Sequence, residues 1–284
     1  MASIRDIKRR RNSIQSTEQI TKAMKLISTA KLQKSKAKAE ESKPYSDMMY
    51  ETIHSMLQKS SGIEHKYLRA GKSERKAVIV ITSNRGLAGG YNNNVSKLVM
   101  GDDRLTLEHT DVYAVGRKGK EVLGRNGYTV LEDYSEVINE PLYRDAADIT
   151  VELLDAFEQD RIGEIYLAYT SFKNTVTHVP TLKKLLPVEM EKGSETTDLA
   201  LMNYEPDEDE VLDSIIPKYM SSLIYGALLE AVASENGARM TAMDAATNNA
   251  EDMIEELGLI YNRARQGAIT QELTEIIAGA NAIS

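Results

Sequence analysis

An open, mainly parallel α/β sheet set between two long helical ends is the fold the sequence predicts, and three observations predict it. All six prolines lie between positions 44 and 217. Both ends are therefore free of the strongest helix breaker, which costs ~3 kcal/mol in a helix interior. Through the middle, short β-branched runs alternate with helical patterns, the mark of βαβ units. The C-terminal stretch repeats apolar residues in steps of three and four, a heptad pattern.

Taken in order, residues 1–57 are rich in Ala, Lys, Gln, Met and Leu, all good helix formers. Their apolar positions, Ile4, Ile7, Ile14, Ile20, Met24 and Ile27, make a narrow stripe rather than a broad core face. Helical spacing resumes after Pro44 at Tyr45, Met49, Ile53, Met56 and Leu57, so Pro44 is either a kink or a short break. Residues 58–210 form the α/β part. Lys76–Thr82 reads as a buried strand, followed by a Gly/Asn-rich loop and a helix from about Asn94. Asp111–Gly116 is a second strand, Arg117–Arg125 a helix, Tyr128–Leu131 a third strand and Tyr143–Asp160 a helix. Glu164–Thr170 is a further strand, and Val176–Val188 another, interrupted by Pro180. The acidic run Glu205–Glu210 supplies a negative first turn to the last helix. Residues 211–284 are that helix. Its seam runs through Leu229, Val232, Asn236, Arg239, Met243, Ala246, Ala250, Met253, Leu257, Ile260 and Ala264, and alanines there let a partner backbone come close. At 1.5 Å per residue it is about 110 Å long. A compact chain of this size has a radius of gyration of about 19 Å, so the helix is expected to protrude. Five glycines (Gly226, Gly237, Gly258, Gly267, Gly279) punctuate it, yet the register passes Gly237 and Gly258 without slipping.

Composition removes several function classes. The 284 residues are 42% hydrophobic and 27% charged, ordinary for a soluble intracellular protein that buries a core. The longest purely aliphatic run is Ala77–Ile81, too short to cross a membrane. With no cysteine there is no disulfide, thiolate metal site or cysteine nucleophile. The four histidines (His54, His65, His109, His178) are scattered, without a metal-binding i, i+4 pair, and Asp102-Asp103 reads as solvated loop charge. The net charge of −8 conceals an asymmetry. Residues 1–43 carry twelve Lys/Arg and four acids, a net +8, and the other 241 carry a net −16. A cleavable transit peptide fits poorly, because the helical pattern runs well beyond such a length. Nucleic acid also fits poorly, with no aromatic residue before Tyr45; an acidic protein groove suits the basic helix better.

The loop Ser83-Asn84-Arg85-Gly86-Leu87-Ala88-Gly89-Gly90-Tyr91-Asn92 follows a strand and precedes a helix, where doubly wound folds bind phosphate. Its spacing is not G-x-G-x-x-G, and no G-K-[ST] follows. It reads as a tight turn or a loop reserved for a protein partner. An α/β nucleotide-binding enzyme with helical extensions is the alternative, but leaves both ends unexplained; a coiled-coil scaffold leaves the α/β domain without a job.

Several stretches resemble one family. Ile269–Ala282, reading ITQELTEIIAGANA, is similar to the C-terminal signature of the gamma subunit of F-type ATP synthase. Ser234–Met243, Gln19–Lys25 and the Ser83–Asn92 loop resemble the same family, so the likeness spans the chain. It implies a non-catalytic rotor without cofactor or bound metal. The terminal helices would wind into a long antiparallel coiled coil on the axis of the alpha/beta catalytic hexamer. The α/β domain would be a foot against the epsilon subunit and the membrane c-ring, and rotation would couple proton flow to ATP synthesis or hydrolysis. Pairing of the two helices also follows from stripes too narrow to be stable alone in water, and the resemblance implies that the pair is antiparallel. By the same resemblance Met24 and Lys25 face the beta-subunit lever, and Arg239, Gln266, Thr270 and Glu275 lie in the neighbouring contact zone. The implied location is the cytoplasmic side of a bacterial cell membrane, as a peripheral subunit.

Overall fold

The computed structural model describes residues 3–59, 65–188 and 208–283. Helix α1 spans Ile4–Lys59 and helix α5 spans Glu208–Ile283. Between them lie β1 (Lys76–Ile81), α2 (Tyr91–Met100), β2 (Thr110–Val115), α3 (Arg117–Arg125), β3 (Thr129–Asp133), α4 (Tyr143–Glu158), β4 (Glu164–Phe172) and β5 (His178–Leu186). The sheet order is β3-β2-β1-β4-β5. The first four strands are mutually parallel and β5 returns antiparallel to β4. The chain forms two compact units: the described parts of Met1–Ser28 and Met240–Ser284, and Thr29–Arg239.

In the larger unit β1 is the centre of the sheet, and its KAVIVI sequence is apolar on both faces because both faces are covered. Val78 and Val80 join Val95, Val99, Val112 and Leu123 beneath α2 and α3. Ala77, Ile79 and Ile81 face the opposite way, into a core shared with α4, the end of α1 and the first part of α5. There α5 presents Leu212, Ile216, Met220, Ile224, Leu228 and Ala231, one residue per turn, each buried. Each large aliphatic side chain so buried contributes about 1.5–3 kcal/mol. Gly116 opens α3 at φ +107°, and a Cβ there would lie 2.1 Å from the Thr82 carbonyl, so the β1–α3 crossing requires glycine.

Both long helices run through a proline. Pro44 lies inside α1 and Pro217 inside α5. The missing N–H bond is offset by packing on either side. Ser46 and Ser222 share a hydroxyl bond of 3.0 Å, and Ile53 and Met56 are buried in the core. Tertiary contact overrides the local penalty. Glu208, Asp209 and Glu210 open α5 three residues before the position read from sequence; 205–207 lie outside the described residues. No described helix is long and apolar enough to cross a membrane.

Candidate functional site

The crevice at the carboxyl ends of β1 and β4 is where an open α/β sheet binds ligands, because connections leave to opposite sides there. In this chain α5 fills it. Ser234 Oγ donates to the Thr170 carbonyl (3.1 Å), Glu230 Oε2 accepts from the Phe172 N–H (3.1 Å), and Tyr91 Oη donates to the Ala231 carbonyl (3.1 Å). Burial, with Glu235 close by, holds the Tyr91 hydroxyl well above the usual tyrosine range, so it stays a donor. The Ser83–Asn92 loop is pinned internally by Asn92, whose Oδ1 accepts from Ser83 N–H at 2.8 Å. Asn84 reaches the Ser135 carbonyl and accepts from the Arg117 N–H. These bonds engage the Ser83 N–H and the side chains of Asn84 and Asn92 within the fold.

Arg239 lies in this unit. Its guanidinium pairs with Glu235 one turn earlier at 2.7 Å and is directed at the Arg85 and Gly86 carbonyls at 3.5 and 3.4 Å. The loop's outer side carries no such support. Leu87 is 62% exposed at φ +62°, and a Cβ on Gly86 or Gly89 would meet nothing within 4 Å. Leu87 thus presents a bulky apolar side chain at a left-handed angle, with bare backbone beside it.

At the other end of α5's course along this unit, Lys66 bridges Glu158 (2.9 Å) and Asp213 (3.0 Å), and Tyr67 Oη donates to Glu158. The hydrogen bonds from Tyr67 and Lys66 hold the Glu158 carboxyl below its ordinary 4.5. The cluster ties α4 and α5 to the segment that follows α1. Asp102 is a turn residue, accepting from the Arg104 N–H and side chain, and Arg104 lowers its pKa. No group of three or more His, Asp or Glu among the described residues is arranged to hold a metal.

The smaller unit is a pair of antiparallel helices. Thr21 and Thr247 share a hydroxyl bond (2.8 Å), Lys25 Nζ meets Asp244 Oδ1 (2.5 Å), and the Arg11 guanidinium lies 5.7 Å from the Tyr261 ring centre. Of the residues assigned to the seam, Leu229, Met243, Ala250 and Leu257 are buried and Val232 and Ala246 half-buried. Met253 and Ile260 are not in it: they are 40% and 43% exposed. The covered positions are Met243, Thr247, Ala250, Ile254, Leu257, Tyr261 and Ala264, which step by four and three. The assigned Ala246, Met253 and Ile260 each fall one place before the covered Thr247, Ile254 and Tyr261. On α1 the buried stripe is Ile7, Thr21 and Ser28, while Ile20 and Ile27 point outward.

The remaining assigned positions are at the surface. Met24 and Lys25 are half-buried, and Lys25 is engaged with Asp244, a partner that sequence reasoning missed. Gln266, Thr270 and Glu275 are exposed, with Thr270 Oγ1 donating to the Gln266 carbonyl and Gln271 to Glu275. Around them Ile269, Leu273, Ile276 and Ile277 are all exposed, an apolar face with no covering helix among the described residues. Residues 269–281 extend beyond the part of α5 opposite the start of α1. The signal for Thr21 is the seven-residue repeat of hydroxyls Thr21, Ser28, Ser35 and Ser42.

A family model described as ATP synthase matches residues 3–283. The ATP synthase gamma chain of Lachnoclostridium phytofermentans is 67% identical over the whole of both chains. That of Alkaliphilus metalliredigens is 42% identical over 99% of this chain and 98% of that one. The sodium-ion-specific gamma chain of Acetobacterium woodii is 39% identical over 99% of each. A chain in the central stalk and c-ring structure of Tetrahymena thermophila mitochondrial ATP synthase is 25% identical, with TM-score 0.56, over 80% of this chain and 99% of that one. A chain of the Euglena gracilis mitochondrial enzyme shares the fold at 18% identity and TM-score 0.67, over 99% and 94%. The chain belongs to the ATP synthase gamma-chain family.

Proposed function

We propose that this chain is the central rotor shaft of an F-type ATP synthase, turning inside the alpha/beta hexamer and coupling ion flow through the membrane c-ring to the beta subunits' nucleotide states. The observation that carries this is the end of α5: a helix whose apolar residues Ile269, Leu273, Ile276 and Ile277 lie at the surface needs a sleeve supplied by other subunits. The outward residues Ile20, Leu26, Ile27, Met253, Leu259 and Ile260 extend that requirement along both helices of the smaller unit. Residues 1–57 and 211–284 are the shaft and 58–210 the foot against epsilon and the c-ring. Met24, Lys25, Arg239, Gln266, Thr270 and Glu275 are its contacts with the beta subunits.

In this role the chain does no bond chemistry; it transmits torque, and only interactions that differ between rotary states alter transmission. The filled crevice over β1 and β4 argues in the same direction, since α5 stands where an α/β enzyme would hold its nucleotide. As a peripheral subunit it is held at the cytoplasmic face of a bacterial membrane by its partners. Copurification tests the assignment. One copy with three alpha and three beta chains is expected, and ATP hydrolysis by the isolated chain would overturn it.

A further inference from the structure

We infer that His178 is an acid-sensitive clamp that fastens the β4–β5 hairpin to α5 in its neutral form only. The turn between the strands is held by the Thr177 carbonyl, which accepts from the Lys173 and Asn174 N–H groups, and by Asn174 Oδ1, which accepts from Val176 and Thr177. The hairpin so formed is seated on α5 at two places. Phe172 N–H donates to Glu230, and two turns later the His178 ring lies directly on the helix backbone at Gly237.

Gly237 explains why the ring fits. A Cβ at that position would stand 2.6 Å from His178 Nε2, 3.2 Å from Cε1 and 3.4 Å from the Thr175 carbonyl. Glycine in a helix interior costs about 1 kcal/mol against alanine, and here it makes room for an imidazole. The Nε2 atom is wholly buried and has no hydrogen-bond partner, and the Phe172 ring closes the other side with centroids 6.0 Å apart. An unprotonated ring nitrogen is tolerable against a glycine. An imidazolium is not, because it would bring a charge and a second N–H to a buried ring edge that has no hydrogen-bond partner for it.

The charged groups on the surrounding elements are Glu230 and the Glu235–Arg239 pair on α5, Lys173 in the turn and Lys97 on α2. None of them offsets that cost, and burial alone displaces the His178 pKa downward. The released hairpin binds the proton more readily than the docked one, so docking is undiminished above the ordinary histidine value of about 6.5. As pH falls below it, the docked-to-released ratio drops tenfold per unit until the lowered docked value is reached. Acid therefore loosens the sheet's outer hairpin from α5 at the helix turn that also carries Arg239.

Hydrogen exchange of the amides of residues 172–179 in the full chain, corrected for the intrinsic pH dependence of exchange, reads this directly between pH 8 and pH 5. Protection in the unsubstituted chain should fall up to tenfold per pH unit below about 6.5, while His178→Phe, which keeps a ring and cannot protonate, should hold constant protection. Gly237→Ala should lower protection at every pH. Identical pH profiles for the unsubstituted chain and His178→Phe would overturn the clamp. Should His178→Phe fail to fold, an NMR titration of the His178 ring in the unsubstituted chain decides: a pKa below 6.5 upholds it, and one at or above 6.5 overturns it.

Discussion

Leu257 and Met253 lie one helical turn apart, both apolar, and the structure assigns them opposite roles in the free chain. Leu257 is 8% exposed in the seam of the smaller unit, and Met253 is 40% exposed beside it. Replacing Leu257 with alanine removes about three methyl or methylene groups from the seam, at ~0.8 kcal/mol each. A two-helix pair can close part of the gap, which places the loss near 2 kcal/mol rather than at the upper end seen in large cores. Met253→Ala removes a side chain that already meets water and should cost less than about 0.5 kcal/mol. Hydrogen exchange of the amides in 243–264 converts these figures into rates: 2 kcal/mol is about a thirty-fold loss of protection, and 0.5 kcal/mol about two-fold. Equal losses for the two variants, or a larger one for Met253→Ala, would refute the seam assignment.

Lys25→Ala and Asp244→Ala should each change stability by no more than about 1 kcal/mol, since the pair is 40% and 47% exposed, and a double-mutant cycle in denaturant measures it. Met24→Lys should leave assembly and ATP hydrolysis intact while lowering ion pumping per ATP in reconstituted vesicles; an unchanged ratio removes this position from the coupling argument. Gly116→Ala should destabilise the α/β unit by more than about 3 kcal/mol, because the Cβ collides with the Thr82 carbonyl and the backbone is at φ +107°; a normal melting temperature would contradict the crossing. The Glu158 carboxyl is lowered by Tyr67 and Lys66, so its contribution is present above its ordinary 4.5 and lost as pH falls through the lowered folded value. Glu158→Gln should therefore flatten the acid limb of the stability curve, and an unchanged limb would remove the cluster from that role.

How far the fold was legible depended on whether each residue's environment was local. KAVIVI declares a central strand because both faces of β1 are buried, and the strand–helix alternation fixed every element of the sheet within a few residues. The continuation of α1 through Pro44 was hidden, because the compensating bond of Ser46 comes from Ser222, 176 positions away. The seam was half visible. Met243, Ala250 and Leu257 are apolar and buried, but the alternate positions hold Thr247, Ile254 and Tyr261, and a three-then-four step from Leu229 lands one place earlier, on Ala246, Met253 and Ile260. Those exposed apolar residues violate the rule for a free helix pair because, under the rotor reading, their solvent is another subunit. Arg239 was expected to face such a subunit. Its pairing with Glu235 is a local i, i+4 contact, but its approach to the loop carbonyls depends on a three-dimensional meeting of 85 and 239 that no local pattern encodes.

The rotor assignment is tested most directly by watching the chain turn. With the catalytic hexamer immobilised and a bead fixed to an exposed residue of α3, such as Arg125 replaced by cysteine, added ATP should drive continuous rotation in one direction. Hydrolysis by the hexamer with the bead stationary, while the chain remains bound, would contradict it.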